Sequence, residues 1–360
     1  MRTNNYIIGI SIVASLLAGC TRDKWAELPP SGDVEVHFTA SAGTPATKTA
    51  SGATALMAGA NVTVHAWMGN TPSEADAPAY SNAYLFRIDP NKADTLEATG
   101  GQMQVQTGNG YRFYALSTNS AEYTVPGLST GCRTVSLRNG VDYLMALYDK
   151  DGNGLNVTAG EIAPIPLAFR HLATQVVLTV KPATSNGYTG ASGLTVGIAD
   201  IDNTDCYIDL SATWDADTPS PMIYWPAQPT TDGSEPVPAT GGIPLEQPDG
   251  QRKETTANGT EFTVSFIILP VSTTARGIPL QLDFTGLSFD GGVTTIPEKS
   301  YTARMMATST DATSLTLQGG YTYTFEATIT RNAATFNLPK VEPWVIDGVN
   351  LDEVVEVDPK

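Results

Sequence analysis

The chain has 360 residues, a formal charge of −17 and 16% charged residues, with 33 Gly and 24 Pro. That length exceeds what one core usually holds, so two domains are the default. An acidic surface repels phosphate backbones and lacks the cationic contacts they need, which excludes nucleic acid as a partner.

Beyond the N-terminus no stretch keeps the helical i, i+3, i+4, i+7 apolar spacing free of Gly or Pro, and the chain reads as all-β. Arg2 precedes the apolar run 6–17, too short for a bilayer span and right for a signal-peptide core. It ends in Leu17-Ala18-Gly19-Cys20, which looks like a bacterial lipobox, with Cys20 acylated as the first mature residue. Each buried acyl CH₂ contributes about 0.8 kcal/mol, so several chains anchor a protein without a spanning helix. Residues 1–19 are expected as signal peptide and 20–32, with Pro29-Pro30, as a tether. No later apolar run approaches the ~18 residues of a membrane span.

Val34, Val36 and Phe38 alternate with Glu35, His37 and Thr39 and predict a first strand. Residues 40–59 are mostly Ala, Ser, Thr and Gly with one basic residue, Lys48, and predict an exposed, mobile loop. Strands are expected at 62–67, 84–87, 102–106, 111–116, 133–137 and 143–148. Near the middle, Ile165, Leu167 and Phe169 hold odd positions, whereas Leu172, Thr174, Val176, Leu178 and Val180 hold even ones. Strand side chains alternate, so this parity change requires a kink, a bulge or a change of sheet. It marks the expected passage from an N-terminal β domain, 33–166, to a C-terminal one, 167–360. The latter is expected to hold strands at 194–198, 206–210, 261–269, 278–284, 315–317 and 321–330. Between Asp215 and Gly259 lies a long Pro-, Thr- and Gly-rich insert holding Tyr224-Trp225-Pro226.

Motifs that could carry chemistry are few. Asp149-Lys150-Asp151-Gly152-Asn153-Gly154 opens like an EF-hand loop, but position twelve is Gly160 and Glu161 falls one late. A β-turn explains these residues as well, and no metal is expected. Gly127-Leu128-Ser129-Thr130-Gly131 matches the G-x-S-x-G nucleophile pattern, yet a strand-like segment follows where that motif needs a helix. A loop is expected there. His37 and His65 fall on the polar sides of strands, and His171, beside the parity change, is expected to bond neighbouring backbone. Cys132, Cys206 and the histidines lack zinc spacing. The two cysteines fall in different expected domains, which disfavours a disulfide even in an exported chain. The acids are scattered and define no catalytic pair. A non-enzyme without cofactors is the reading. Trp225, with Tyr224, offers a face for stacking on a sugar ring.

Several features coincide in order: Cys20, the strand at 34–39, Lys48-Thr49-Ala50, Met57-Ala58-Gly59-Ala60-Asn61-Val62-Thr63-Val64, Asp142-Tyr143-Leu144-Met145-Ala146, Phe169-Arg170-His171-Leu172-Ala173 and Glu342-Pro343-Trp344. This order resembles the fimbrillin (Mfa-like) family of lipoprotein pilins. The resemblance implies two transthyretin-like β-sandwich domains in tandem and export as a lipoprotein to the cell outer membrane. It implies proteolytic processing in the loop after the first strand, here at Lys48-Thr49, where family sites are often Arg. It further implies assembly by donor-strand exchange into a type V pilus, with a role in adhesion to a host or bacterial receptor or glycan. Val34, Val36 and Phe38 would then leave with the excised strand, and an extended segment from another pilin subunit would fill their groove. The tail bearing Leu351, Val354, Val355 and Val357 is the candidate donor. The alternative is a non-polymerising surface lipoprotein that binds glycan through Trp225 or Tyr224.

Overall fold

The computed structural model describes residues 33–42, 56–69, 72–73, 75–88, 95–160, 164–181, 187–198, 206–211, 223–224, 243–244, 261–273, 278–305 and 315–344. Their regular structure is all strand, apart from short 3-10 turns at Lys150–Gly152 and Asp290–Gly292. The first half contributes β1 Asp33–Val36, β2 Phe38–Ala42, β3 Asn61–Met68, β4 Tyr80–Arg87, β5 Thr95–Ala98, β6 Met103–Gln106, β7 Gly108–Ser117, β8 Leu128–Thr130, β9 Arg133–Thr134, β10 Leu144–Tyr148, β11 Leu155–Val157 and β12 Ile165–His171. The second contributes β13 Thr174–Val180, β14 Tyr188–Gly190, β15 Gly193–Ile198, β16 Tyr207–Ile208, β17 Ile223–Tyr224, β18 Ile243–Pro244, β19 Phe262–Ile268, β20 Val271–Thr273, β21 Ile278–Phe289, β22 Thr294–Met305, β23 Leu315–Leu317, β24 Tyr321–Ile329, β25 Ala334–Phe336 and β26 Lys340–Pro343.

In the first half hydrogen bonding runs β12–β2–β5–β4–β3–β7–β10 and returns to β12, so the layers join into a ring. β11 adds outside β7, and β1 pairs with β6 in a separate ribbon. Alternate side chains fill the interior: Val62, Val64 and Ala66 from β3, Tyr111, Phe113 and Ala115 from β7, Ile165, Leu167 and Phe169 from β12. In the second half two five-stranded sheets, one around β13 and β24 and one around β21, contribute to a second core. Val176, Leu178 and Val180 enter that core together with Phe325, Leu280 and Leu282.

The parity change is a change of sheet. β12 belongs wholly to the first ring, pairing with β2 and β10, while β13 pairs with β19 and β24. The chain crosses at Leu172–Ala173, so the expected domain border at 166/167 falls inside β12. A third cluster spans the crossing, with Trp67, Leu116, Cys132 and Tyr143 from the first half against Cys206, Ile208, Leu210 and Leu269 from the second.

Several expectations on element bounds change: the strand expected over 84–87 starts at Tyr80, and the one expected over 133–137 spans only Arg133–Thr134. The first strand is two strands, broken at His37, because β1 follows β6 while β2 enters the ring. The loop expected over 40–59 is shorter at both ends: β2 runs to Ala42, and Leu56 is buried in the first core. The strand expected over 278–284 runs to Phe289, paired in one register with β22, and past Gly286 at φ +60° the buried positions change from even to odd.

Candidate functional site

The first strand is the element with the clearest functional geometry. β1 pairs antiparallel with β6, Asp33 opposite Gln106 through Val36 opposite Met103. β2 pairs in parallel with Ile165–Phe169 of β12, and with β5 it pairs, among the described residues, at Thr39 opposite Thr95. Val34, Val36 and Phe38 are 6%, 0% and 2% exposed, so the inward alternation survives the break at His37. The Phe38 ring meets Tyr84 and Phe113 edge-on, at 5.5 and 5.4 Å between centroids. His37 itself faces out and pairs with Glu35 at 3.1 Å. Burying three such side chains contributes roughly 5 to 9 kcal/mol, comparable with the stability of a whole domain at about 5 to 15. The first strand is therefore integral to the core, β1 beside β6 and β2 between β12 and β5.

A second constellation sits where the halves meet. β10 pairs Leu144 with His171 of β12, which sets Asp142 beside the His171 ring. The His171 Nδ1 lies 2.7 Å from Asp142 Oδ1, and Asn119 donates from Nδ2 to Asp142 Oδ2 at 2.9 Å. Asn119 Oδ1 accepts the Met57 amide at 2.8 Å. On its other side the His171 ring stacks on Trp344. The Trp344 amide donates to Gly320 O, and the Gly320 amide to Ala173 O, each at 2.8 Å. Next to it, a Cβ on Gly319 would lie 2.2 Å from Leu172 O, so only glycine allows this approach. The expectation that His171 bonds backbone is corrected: it holds a carboxylate and an indole. Sequence reading singled out the segments bearing Met57, Asp142, His171 and Trp344, but not their meeting point.

The remaining candidates are structural. Asp149 Oδ2 accepts from Arg112 Nε at 2.8 Å and Oδ1 from the Gly154 amide at 2.7 Å. Gly154 has φ +74°, and a Cβ there would lie 2.4 Å from Gly110 C. Among the described residues no group of His, Cys, Asp or Glu is arranged to hold a metal ion. Gly127–Gly131 forms part of the β8–β9 hairpin, where Ser129 Oγ donates to the carbonyls of Arg133 and Thr134.

His65 lies on the side of β3 opposite Val64, yet it is buried rather than solvated. Its Nδ1 lies 2.8 Å from Ser81 Oγ, and beside it the Trp67 Nε1–H donates to Asp76 O, so the segment after β3 folds back over this face. Burial holds the imidazole pKa down to about 4. Cys132 and Cys206 are buried thiols in the seam cluster, not joined to each other. Leu210 donates its amide to Cys132 O and Leu137 to Cys206 O, so the backbones of 206–210 and 132–137 lie side by side. Burial pushes the Cys132 thiol up. Asp209 is also buried and raised by desolvation, but Ser211 and Arg133 hydrogen bonds outweigh that and hold its pKa below the usual carboxylate value.

The backbone of Tyr224 lies in β17, paired with β16. Cys20, Lys48, Thr49, Trp225, Leu351, Val354, Val355 and Val357 lie outside the described residues.

Among solved structures, the chain aligns with a candidate cell adhesion protein from Bacteroides uniformis at 16% identity and a TM-score of 0.50, over 86% of this chain and 98% of that one. One from Bacteroides ovatus aligns at 13% identity and a TM-score of 0.49, over 88% and 99%. The tip fimbrial protein Mfa3 of Porphyromonas gingivalis, with a C-terminal truncation, aligns at 9% identity and a TM-score of 0.43, over 87% and 100%. No curated protein matches the chain. The likeness to the Bacteroides uniformis protein is one of fold, which by itself carries no function. The family evidence is the sequence model of fimbrillin-like proteins, which matches residues 46–344, most of the chain, and on that match the chain belongs to the fimbrillin-like family.

Proposed function

We propose that this chain is a fimbrial subunit, a structural and adhesive protein rather than an enzyme. In this reading it is exported as a lipoprotein through Cys20 to the outer membrane, cut at Lys48-Thr49 and assembled with other pilin subunits by donor-strand exchange. The observation that carries the reading is the first strand, whose Val34, Val36 and Phe38 fill the core, β1 from a two-stranded ribbon with β6 and β2 from between β12 and β5. Both β1 and β2 also precede residue 46, where the family match begins. Once they leave, a groove lined by apolar side chains and by the open backbone of β12 would need another extended segment. The tail carrying Leu351, Val354, Val355 and Val357 is the proposed donor. Two folding units bordering at Leu172–Ala173 belong to the same proposal, the parallel pairing of β2 and β12 lying entirely in the first.

N-terminal sequencing of the protein recovered from the cell surface tests this directly. A start at Thr49 is expected; a start at Cys20 on all of the surface protein would leave a stationary lipoprotein and remove the assembly reading. The glycan-binding alternative rests on Trp225 and Tyr224, and nothing among the described side chains favours it.

A further inference from the structure

A chain of side chains crosses the seam and joins two distant parts of the sequence. The Met57 amide donates to Asn119 Oδ1 at 2.8 Å, and the same side chain donates from Nδ2 to Asp142 Oδ2 at 2.9 Å. Asp142 Oδ1 lies 2.7 Å from His171 Nδ1, and the face of that ring carries Trp344. Asn119 and Asp142 each serve two partners with one rigid group, so displacing either breaks the contacts on both its sides together. At one end Leu56, next to Met57, is buried in the first core. At the other, Trp344 follows the terminal strand β26, held besides the stack by its amide on Gly320 O.

Two observations mark this path as movable rather than a rigid strut. Asn119 sits at φ +49°, in the left-handed region that non-glycine residues seldom adopt, with its amide donating to Ser117 Oγ at 3.0 Å. His171 Nε2 is buried with no hydrogen-bond partner among the described residues. Such a group costs free energy that water relieves once the stack opens. The closed arrangement thus holds a strained centre and an unsatisfied ring, which lowers the cost of opening it.

We propose that Asn119, Asp142 and His171 form a latch that couples the seating of the chain at Leu56–Met57 to the seating of its last described residue, Trp344. When either end loosens, the shared side chains lose a partner and the other end opens more readily. The coupling is reciprocal, because both ends bias one arrangement of the same groups. Met57 lies shortly after Lys48-Thr49, and Trp344 directly before 345–360. In a cut subunit the latch would carry a change near the new N-terminus to the point where the tail leaves. That use rests on the pilin reading; the coupling itself does not.

Amide hydrogen exchange of the full chain, read at Met57 and Trp344, tests this. Both amides lie outside the strand ladders and exchange by local opening, so a general loss of stability barely moves them. Asn119→Gly removes the side-chain bonds and keeps a residue at ease with positive φ. It should speed exchange at Trp344 roughly fivefold or more, the lower end of couplings between linked sites. Trp344→Ala should speed exchange at Met57 by a similar factor. Arg112→Ala, which loosens the Asp149 turn outside the latch, should leave both near the parent rate. An unchanged rate at Trp344 in Asn119→Gly, or at Met57 in Trp344→Ala, overturns the proposal, as does an equal rise at both amides in Arg112→Ala. A surface protein starting at Cys20 would remove the assembly reading and leave the latch standing; unchanged exchange rates remove the latch and leave that reading standing.

Discussion

The rings of His171 and Trp344 are stacked, 3.8 Å apart between centroids with 4° between their planes. This stack ties the last described residue of the chain to the strand that ends the first half, with Asp142 holding the other side of the imidazole. Ring stacking contributes about 0.5 to 1.5 kcal/mol beyond area burial. A hydrogen bond to a charged group contributes about 1.5 to 3. Trp344→Ala should therefore lower the free energy of unfolding by about 2 kcal/mol. Asp142→Ala should lower it by at least as much, since it strands His171 and Asn119 together. Urea titration of each variant measures this.

His65 predicts a pH dependence. Its folded pKa of about 4 lies below the usual 6.5 because burial disfavours the charged ring. The unfolded chain therefore binds more protons between those values. The resulting stability is present above pH 6.5 and is lost as the pH falls toward 4, a loss of about 3 kcal/mol by linkage. His65→Asn, which can still bond Ser81, should flatten that part of the stability curve relative to the parent. Thermal melts of both proteins across the window decide it.

Calcium should leave the melting temperature unchanged, because the Asp149 oxygens already hold Arg112 and the Gly154 amide. A ligand of the native state would raise it by mass action. Arg112→Ala should destabilise the chain by about 1.5 to 3 kcal/mol, removing a charge-assisted bond to the Asp149 turn.

Cys132 and Cys206 are both fully buried in the seam. Neither should react with a thiol reagent in the native chain, and both should react together once the seam opens. Labelling through a denaturant series, read by mass, reports whether the seam opens before the two cores unfold. Labelling of either thiol at full rate under native conditions would contradict the burial.

The processing steps make separate predictions. Cys20→Ser should release the protein from the membrane fraction or stall its maturation. Lys48→Ala and deletion of 350–360 should each block surface polymers, seen by electron microscopy, while leaving a folded monomer. Polymers unchanged in both variants would sink donor-strand exchange.

Alternation by itself determined a good deal of this protein. Val34, Val36 and Phe38, then Ile165, Leu167 and Phe169, and Tyr323, Phe325 and Ala327 all show their inward face in the sequence, because a strand repeats every two residues. The parity change between Phe169 and Leu172 located a change of sheet for the same reason. β22 stayed hidden: no residue of its first half, from Thr294 to Lys299, is fully buried and no apolar alternation shows there, and its pairing with β21 is what makes it a strand.

Everything that depended on two distant segments meeting was decided by the tertiary structure. The break at His37 exists because β6 and β12 draw successive residues of one extended run to different partners. His65 looks polar in a local window and is buried only because the segment through Asp76 covers it. Asp142, His171 and Trp344 stand far apart in sequence, and no local period relates them; the β10–β12 pairing and the Gly320–Ala173 contact bring them together. Side-chain period is a property of one strand, whereas register and partner choice belong to pairs of strands, and a single sequence displays only the first.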